Sequence, residues 1–301
     1  SKSDLPTESK TPISILAREI VQYASTIEEA VAIAKSRETF VSESLMIGSA
    51  IDNKTVIIEK SPINQALYVS ETDVVVCSNH YQSKFFQKDS ININNIKNSD
   101  SQYRKQRVNQ LLKQQTPLNI SKAVSILRNQ KGIDNKDLGM GNPKAVNQLL
   151  AHHSIVFKPK QKLVWISTPP YQLGNFIAYN VSAIHSKSDT QNVYIDSLSV
   201  AQDTFLATKA YQNFEAYKTT KLKIFDYVNL GIPLSLSTQE IETYIANNPE
   251  TYVSYLTLGD YFAKKGNCTQ AITYYKTALT KEVASLNETN LIKNKISKCQ
   301  N

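Results

Sequence analysis

Three short stretches hold the residue types that could do chemistry. In Val76-Cys77-Ser78-Asn79-His80-Tyr81 an apolar run ends in an amide and an imidazole. A strand that stops there would set polar groups where a sheet edge opens onto a cleft. An Asn amide so placed can donate to an oxyanion developing in a transition state; the plain alternative is a polar turn after a strand. Cys77, inside a run of valines, reads as a small buried hydrophobe rather than a nucleophile. In Tyr103-Arg104-Lys105-Gln106-Arg107, two of the chain's five arginines stand at i and i+3. On one helix face such a pair can grip a carboxylate or orient a thiolate through forked hydrogen bonds, or simply form a solvated surface. His152-His153 precede a strand, with one expected to face inward as a hydrogen-bonded core histidine, and no third ligand is spaced for zinc.

Other familiar sites are missing from the sequence. It has no Gly-rich loop ending in Gly-Lys-Ser, no Ser between two glycines, no Cys-x-x-Cys and no His-Glu-x-x-His. Leu138-Gly139-Met140-Gly141-Asn142 has glycine spacing but no strand before it, so it reads as a loop feeding a helix N-terminus rather than a dinucleotide site. No metal and no cofactor are implied.

The elements that must position these residues begin with two helices. Pro12 to Ala24 puts Ile13, Leu16, Ile20 and Ala24 on one face; Thr26 and Glu29 fit a capping box ahead of a second amphipathic run through Ile33. Alternating segments 45–51 and 55–59 around Asp52-Asn53-Lys54 read as a hairpin, continued by 66–69 and 74–77 into an antiparallel meander. Helices are expected near 102–114, 121–128 and 143–151, and a second hairpin at 154–157 and 163–167. Strands and helices in blocks, without βαβ alternation, favour an α+β layered domain. After Gly231-Ile232-Pro233, a helix near 238–246 precedes a helical pair. In that pair Tyr255, Leu258, Gly259, Phe262, Ala271, Tyr275 and Ala278 take the large and small positions of a tetratricopeptide repeat. One repeat is too little to stand alone or to make a concave groove, so it is expected to pack on the rest of the chain.

Composition bounds the class. With 301 residues, 41% hydrophobic and 20% charged, the chain is long enough for about two domains and is neither disordered nor collagenous. No apolar run approaches the roughly 20 residues of a membrane span. The net charge of +8 is uneven: Lys84 to Lys131 holds ten Lys or Arg against Asp89 and Asp100. That stretch could meet an anionic ligand or be a solvated helix face, and no motif for nucleic acid accompanies it. Of three cysteines, Cys268 and Cys299 fall in one small helical region, where they could bridge or stay independent thiols.

Taken in order, these segments resemble the acyl-coenzyme A:6-aminopenicillanic acid acyltransferase family of cysteine N-terminal-nucleophile hydrolases, which are choloylglycine hydrolase-like. The likeness rests on Leu16-Ala17-Arg18-Glu19-Ile20 with Thr26-Ile27-Glu28-Glu29-Ala30, on Cys77-Ser78-Asn79-His80-Tyr81, on Tyr103 to Arg107 and on Ile126-Leu127-Arg128. His152 to Phe157 and Val164 to Gly174 look like a bacterial subgroup with a C-terminal helical repeat. The resemblance covers most of residues 5–185. It implies part of a four-layer αββα fold over 1–235, a small helical tetratricopeptide-like region over 236–301, and cleavage or transfer at an amide bond of a small N-acylated substrate. In such enzymes autocatalytic cleavage exposes a Cys whose thiol attacks while its own α-amine acts as base. Carried over, Asn79 would donate to the oxyanion and Arg104 would stand near the thiolate; His80 matches the motif without a chemical step of its own.

The family's nucleophile lies well upstream at the start of a strand, whereas this sequence has no Cys before Cys77 and Ser1 leads into a polar, Pro-interrupted stretch. The expectation is therefore a C-terminal portion completed by an upstream segment of the same precursor, exported in a bacterium, with no nucleic-acid partner. The alternative is a non-catalytic binding or scaffold protein that keeps the fold.

Overall fold

The computed structural model describes residues 10–185 and 193–300; Ser1 and the polar stretch that follows it lie outside the described residues. The chain forms two compact units: one runs to Asn109 and includes Phe157–Val164, the other comprises Gln110–Val156 and Trp165 onward.

The first unit is a helix-on-sheet layer. Helix α1 (Ile13–Tyr23) buries Leu16 and Ile20, on the face that the apolar spacing assigns, and α2 (Ile27–Ser36) buries Ala30 and Ala34. Thr26 and Glu29 complete the capping box, giving two of the first-turn N–H groups an acceptor. Strands β1 (Glu43–Ser49), β2 (Lys54–Lys60) and β3 (Gln65–Tyr68) form the antiparallel sheet, with Leu45 opposite Ile58 and Ile58 opposite Leu67. Leu45, Ile47 and Ile58 pack with the apolar faces of α1 and α2. Because side chains alternate across a strand, Ile57 and Glu59 point the other way, and β2 is buried from Val56 to Lys60 on both faces.

The meander stops at three strands. Residues 74–77 form no strand of the sheet. Their carbonyls are claimed by side chains instead: Ser70 and Thr72 hydroxyls donate to the Val74 oxygen, and the Gln82 amide donates to that of Val76. Such local side-chain bonds compete with a ladder. Two helices follow, α3 (Ser90–Asn98), absent from the sequence-based expectation, and α4 (Ser101–Gln114).

Helix α5 (Ile120–Leu127) forms as expected, but 143–151 is not helical. There Asn142 and Asn147 side chains accept the N–H groups of Lys144 and Leu149, fixing turns in place of helical bonds, and Leu149 has φ 52°. Strands β4 (Ile155–Lys158), β5 (Leu163–Ser167) and β6 (Phe176–Asn180) make a second sheet in that order. Trp165 is buried, its indole N–H donating to the Leu198 carbonyl at 2.8 Å.

The rest of the second unit is helical: α6 (Lys209–Leu230), α7 (Thr238–Asn247), α8 (Tyr252–Lys264), α9 (Cys268–Thr280) and α10 (Leu286–Gln300). Their core is aromatic, with Phe214, Tyr217, Tyr244, Tyr252, Tyr261, Phe262 and Tyr275 buried together. Tyr217 stacks on Tyr244 at 5.0 Å between centroids. Where α8 crosses α9, a Cβ on Gly259 would sit 2.4 Å from the Tyr275 ring, so only glycine allows the approach. The Gly139 loop feeds no helix, correcting the expectation; it packs against the start of α8, where a Cβ would lie 2.2 Å from the Thr251 nitrogen. Asn248 bonds both the N–H and the C=O of Met140 there. Among the described residues no helix is long and apolar enough to cross a membrane.

Candidate functional site

The loop 78–83 follows the 74–77 segment and is anchored from three sides. From β2, the Glu59 carboxylate accepts the backbone N–H of Gln82 and that of Ser83, the latter at 3.0 Å, while the Tyr81 hydroxyl donates to the Lys60 carbonyl. From α3, Asn92 accepts the Tyr81 N–H at 2.9 Å and donates to the Tyr81 and Phe86 carbonyls; Asn95 donates to the Asn79 carbonyl at 2.6 Å. From the first turn of α4, the Ser101 hydroxyl meets His80 Nδ1 at 2.7 Å and the Ser78 hydroxyl at 2.9 Å. A loop whose backbone is bonded this completely presents its side chains in one geometry.

The two residues singled out for chemistry, Asn79 and Arg104, are brought together. Arg104 donates from Nη2 to Asn79 Oδ1 at 2.5 Å, and its other terminal nitrogen pairs with Asp100 at 2.6 Å, one turn back along α4. The guanidinium thus bridges a carboxylate and an amide carbonyl. With its carbonyl end taken, the exposed Asn79 amide keeps its NH₂ end as a donor.

The second arginine behaves differently. Arg107, at i+3, is wholly buried, and neither lies on a solvated face: the Arg104 side chain is itself only 17% exposed. His80 is buried as well, tied to Ser101. His152 and His153 are both exposed, which corrects the expectation that one turns inward. They lie in the turn before β4, without a core face to enter.

Beside the loop opens a cleft of about 980 Å³ within the first unit, lined by His80, Gln82, Lys84, Lys105 and a wall of valines from 69, 74 and 76. Lys105 donates to the Gln82 side-chain carbonyl. Burial draws its pKa below the usual lysine range, against the pull of Glu59 and Cys77. Sequence reasoning missed Glu59, Gln82, Asn92 and Lys105. The signal for Glu59 was a lone carboxylate closing the apolar run Val56-Ile57-Ile58. Asn92 gave none, since its role is to hold backbone.

Among the described residues no disulfide joins the cysteines. Cys77 is half-buried, and one of its contacts is a long one to the Ser78 carbonyl, at 3.9 Å. Cys268 and Cys299 meet across α9 and α10; the hydrogen bond with Cys268, helped by burial, pushes the Cys299 thiol up to about 11. Among the described residues no group of three or more His, Cys, Asp or Glu is placed to hold a metal.

The fold and site define a mixed α and β protein that holds an amide donor on a guanidinium in a loop fixed by buried polar groups. The family model for acyl-coenzyme A:6-aminopenicillanic acid acyltransferase matches residues 2–170, more than half of the chain, and the chain belongs to that family. Membership points to acyltransferase or hydrolase chemistry of the N-terminal-nucleophile type. The match includes Asn79 and Arg104 and stops before α6. No curated protein and no solved structure matches the chain.

Proposed function

We propose that this chain is the C-terminal portion of a cysteine N-terminal-nucleophile amidohydrolase or acyltransferase, completed by an upstream segment of the same precursor that carries the nucleophile. The observation that carries it is the 2.5 Å bond between Arg104 and Asn79, which joins two residues that family likeness assigns separately to one reaction. The thiol attacks the carbonyl of an N-acylated substrate, its own α-amine taking the proton. The oxyanion so formed accepts an N–H from Asn79; the C–N bond then breaks, the amine leaves with the proton, and a thioester remains for water or a second amine.

None of the three cysteines within the chain suits that role. Cys77 lies inside the chain in a valine run, and Cys268 and Cys299 are in the helical unit. Residues 1–235 would belong to the four-layer αββα hydrolase domain and 236–301 to a tetratricopeptide-like region, supported by the glycine crossing of α8 and α9.

The test is to make the product of the complete gene, identify its chains by intact mass and N-terminal sequencing, and assay N-acyl amides. A fragment beginning with Cys is expected. Asn79→Ala should lower turnover 10²–10³-fold, about 3 kcal/mol of transition-state stabilisation, without altering the fold, because Asn79 is exposed. Unchanged turnover in that variant would sink the assignment.

A further inference from the structure

Two cysteines of the helical tail stand at one level of an antiparallel helix pair. A short connection, residues 281–285, turns α9 back into α10. Cys268 lies twelve residues before the end of α9 at Thr280, and Cys299 thirteen after the start of α10 at Leu286. At the rise of a helix, the two are therefore about 18 and 20 Å from that connection. Each also continues a buried stripe at helical spacing: Cys268 precedes Ala271, Tyr275 and Ala278, and Cys299 follows Ile292 and Ile296. The stripes face each other, and the two thiols meet in a hydrogen bond.

Neither sulfur is sealed in. Both are half-buried, with exposed Asn267 and Thr269 beside one and exposed Lys298 and Gln300 beside the other. Within four residues of either in the sequence stand Lys264, Lys265, Lys295 and Lys298, and no Asp or Glu. Asp260, at the same end of the helices, is held by the Tyr275 hydroxyl at 2.7 Å and by Lys295 at 2.8 Å. Such a surface draws an anionic reagent. The hydrogen bond and burial push the Cys299 thiol up to about 11, so Cys299 keeps its proton and donates it toward the Cys268 sulfur. That makes Cys268 the attacking sulfur and Cys299 the resolving one.

We propose that Cys268 and Cys299 are a redox pair that takes a small anionic disulfide, of the glutathione class, as oxidant and closes into a covalent staple between α9 and α10. The Cys268 thiolate attacks one sulfur of the small disulfide, whose S–S bond breaks; one half leaves and takes up the proton that Cys268 gave to solvent. Cys299 then attacks the Cys268 sulfur as its own thiolate, forming the protein S–S bond and expelling the second half, which takes up the second proton. The protein pair is oxidised by two electrons and the small disulfide is reduced to two thiols. The bridge ties the start of α9 to the end of α10, closing the helical pair into a ring and removing freedom from its unfolded form. It stands independently of the reaction proposed for the first unit.

The experiment incubates the complete gene product with oxidised glutathione, alkylates the remaining thiols and maps the peptides by mass. The peptides that hold Cys268 and Cys299 are expected to be joined and lighter by two hydrogens, with Cys77 alkylated. Cys299→Ser removes the resolving thiol at the cost of a single atom change and should trap glutathione on Cys268. In the bridged protein, hydrogen exchange in the last turn of α10 should slow about tenfold against the reduced form. Both cysteines recovered alkylated, glutathione retained on either in the unaltered protein, or a bridge that takes in Cys77 overturns the redox pair. Exchange that does not slow in bridged protein overturns the staple.

Discussion

The two units solve the problem of an interior in opposite ways. Among the described residues the second unit buries fifteen apolar side chains in one cluster, rich in tyrosine, whereas the corresponding cluster of the first holds Leu16, Ile20, Ala30, Ala34 and Ile58. Outside that cluster the first unit buries Val56, Ile57, Tyr81 and Phe86 together with polar groups: Glu59, His80, Asn92, Ser101 and Arg107 are almost completely covered. Apolar packing tolerates small adjustments of shape, but a buried carboxylate or amide is stable only while each bond is made. The first unit therefore has a loop geometry set by directional bonds, which is what a site needs, and the second has bulk.

The sharpest way to break this contrast is Glu59→Ala. It leaves the Gln82 and Ser83 N–H groups without an acceptor and should destabilise the first unit by about 3 kcal/mol. Hydrogen exchange should rise at 79–83 and stay unchanged in α8 and α9; loosening of both would show that the units do not differ in this way. The converse change is Gly259→Leu, whose side chain has no room against Tyr275. A loss of about 2 kcal/mol in urea unfolding is expected, with Asn79-dependent turnover in the complete gene product retained.

A smaller effect belongs to Glu282, which pairs with Lys136 and Lys144 and is only 18% exposed. Burial alone would raise its pKa, but the bonds to both lysines outweigh it and hold the carboxyl below the ordinary range. A carboxylate with a depressed folded pKa contributes stability above its unfolded pKa and loses it as pH falls through the lowered value. Glu282→Gln should thus cost about 1 kcal/mol near neutrality and flatten the acid limb of a thermal-stability profile; an unchanged profile would count against the pairing. The smallest expectation concerns Tyr244, whose buried hydroxyl makes no hydrogen bond of good geometry among the described residues. Tyr244→Phe should be neutral or stabilising by up to about 1 kcal/mol in the same unfolding assay, whereas a clear loss would mean that the hydroxyl is partnered in solution.

How much of this was legible in the sequence follows the same divide. The capping box at Thr26 and Glu29, the face of α1, both hairpins and the Gly259 crossing all rest on local spacing or on one steric rule, and each is found where expected. Residues 74–77 and 143–151 defeated that approach because side chains of Ser70, Thr72, Gln82, Asn142 and Asn147 compete for the backbone, and periodicity does not register such competition. Asn79 and Arg104 could be named from motif likeness, yet their union depends on α3 and Glu59 fixing a loop between distant elements. Glu59 and Lys105 act through that tertiary arrangement alone.

The bond from Arg104 to Asn79 has one more effect. A primary amide has two ends of nearly the same shape, so an exposed asparagine flips between two orientations that an incoming oxygen would find opposite in sign. Here the flipped amide would face its NH₂ to the guanidinium, donor against donor, and forfeit a charge-assisted bond of roughly 2–3 kcal/mol. At that penalty only about one molecule in a hundred would present the wrong end. The same pull of the cation on Oδ1 polarises the amide, so its N–H bonds carry more positive charge than those of a free asparagine.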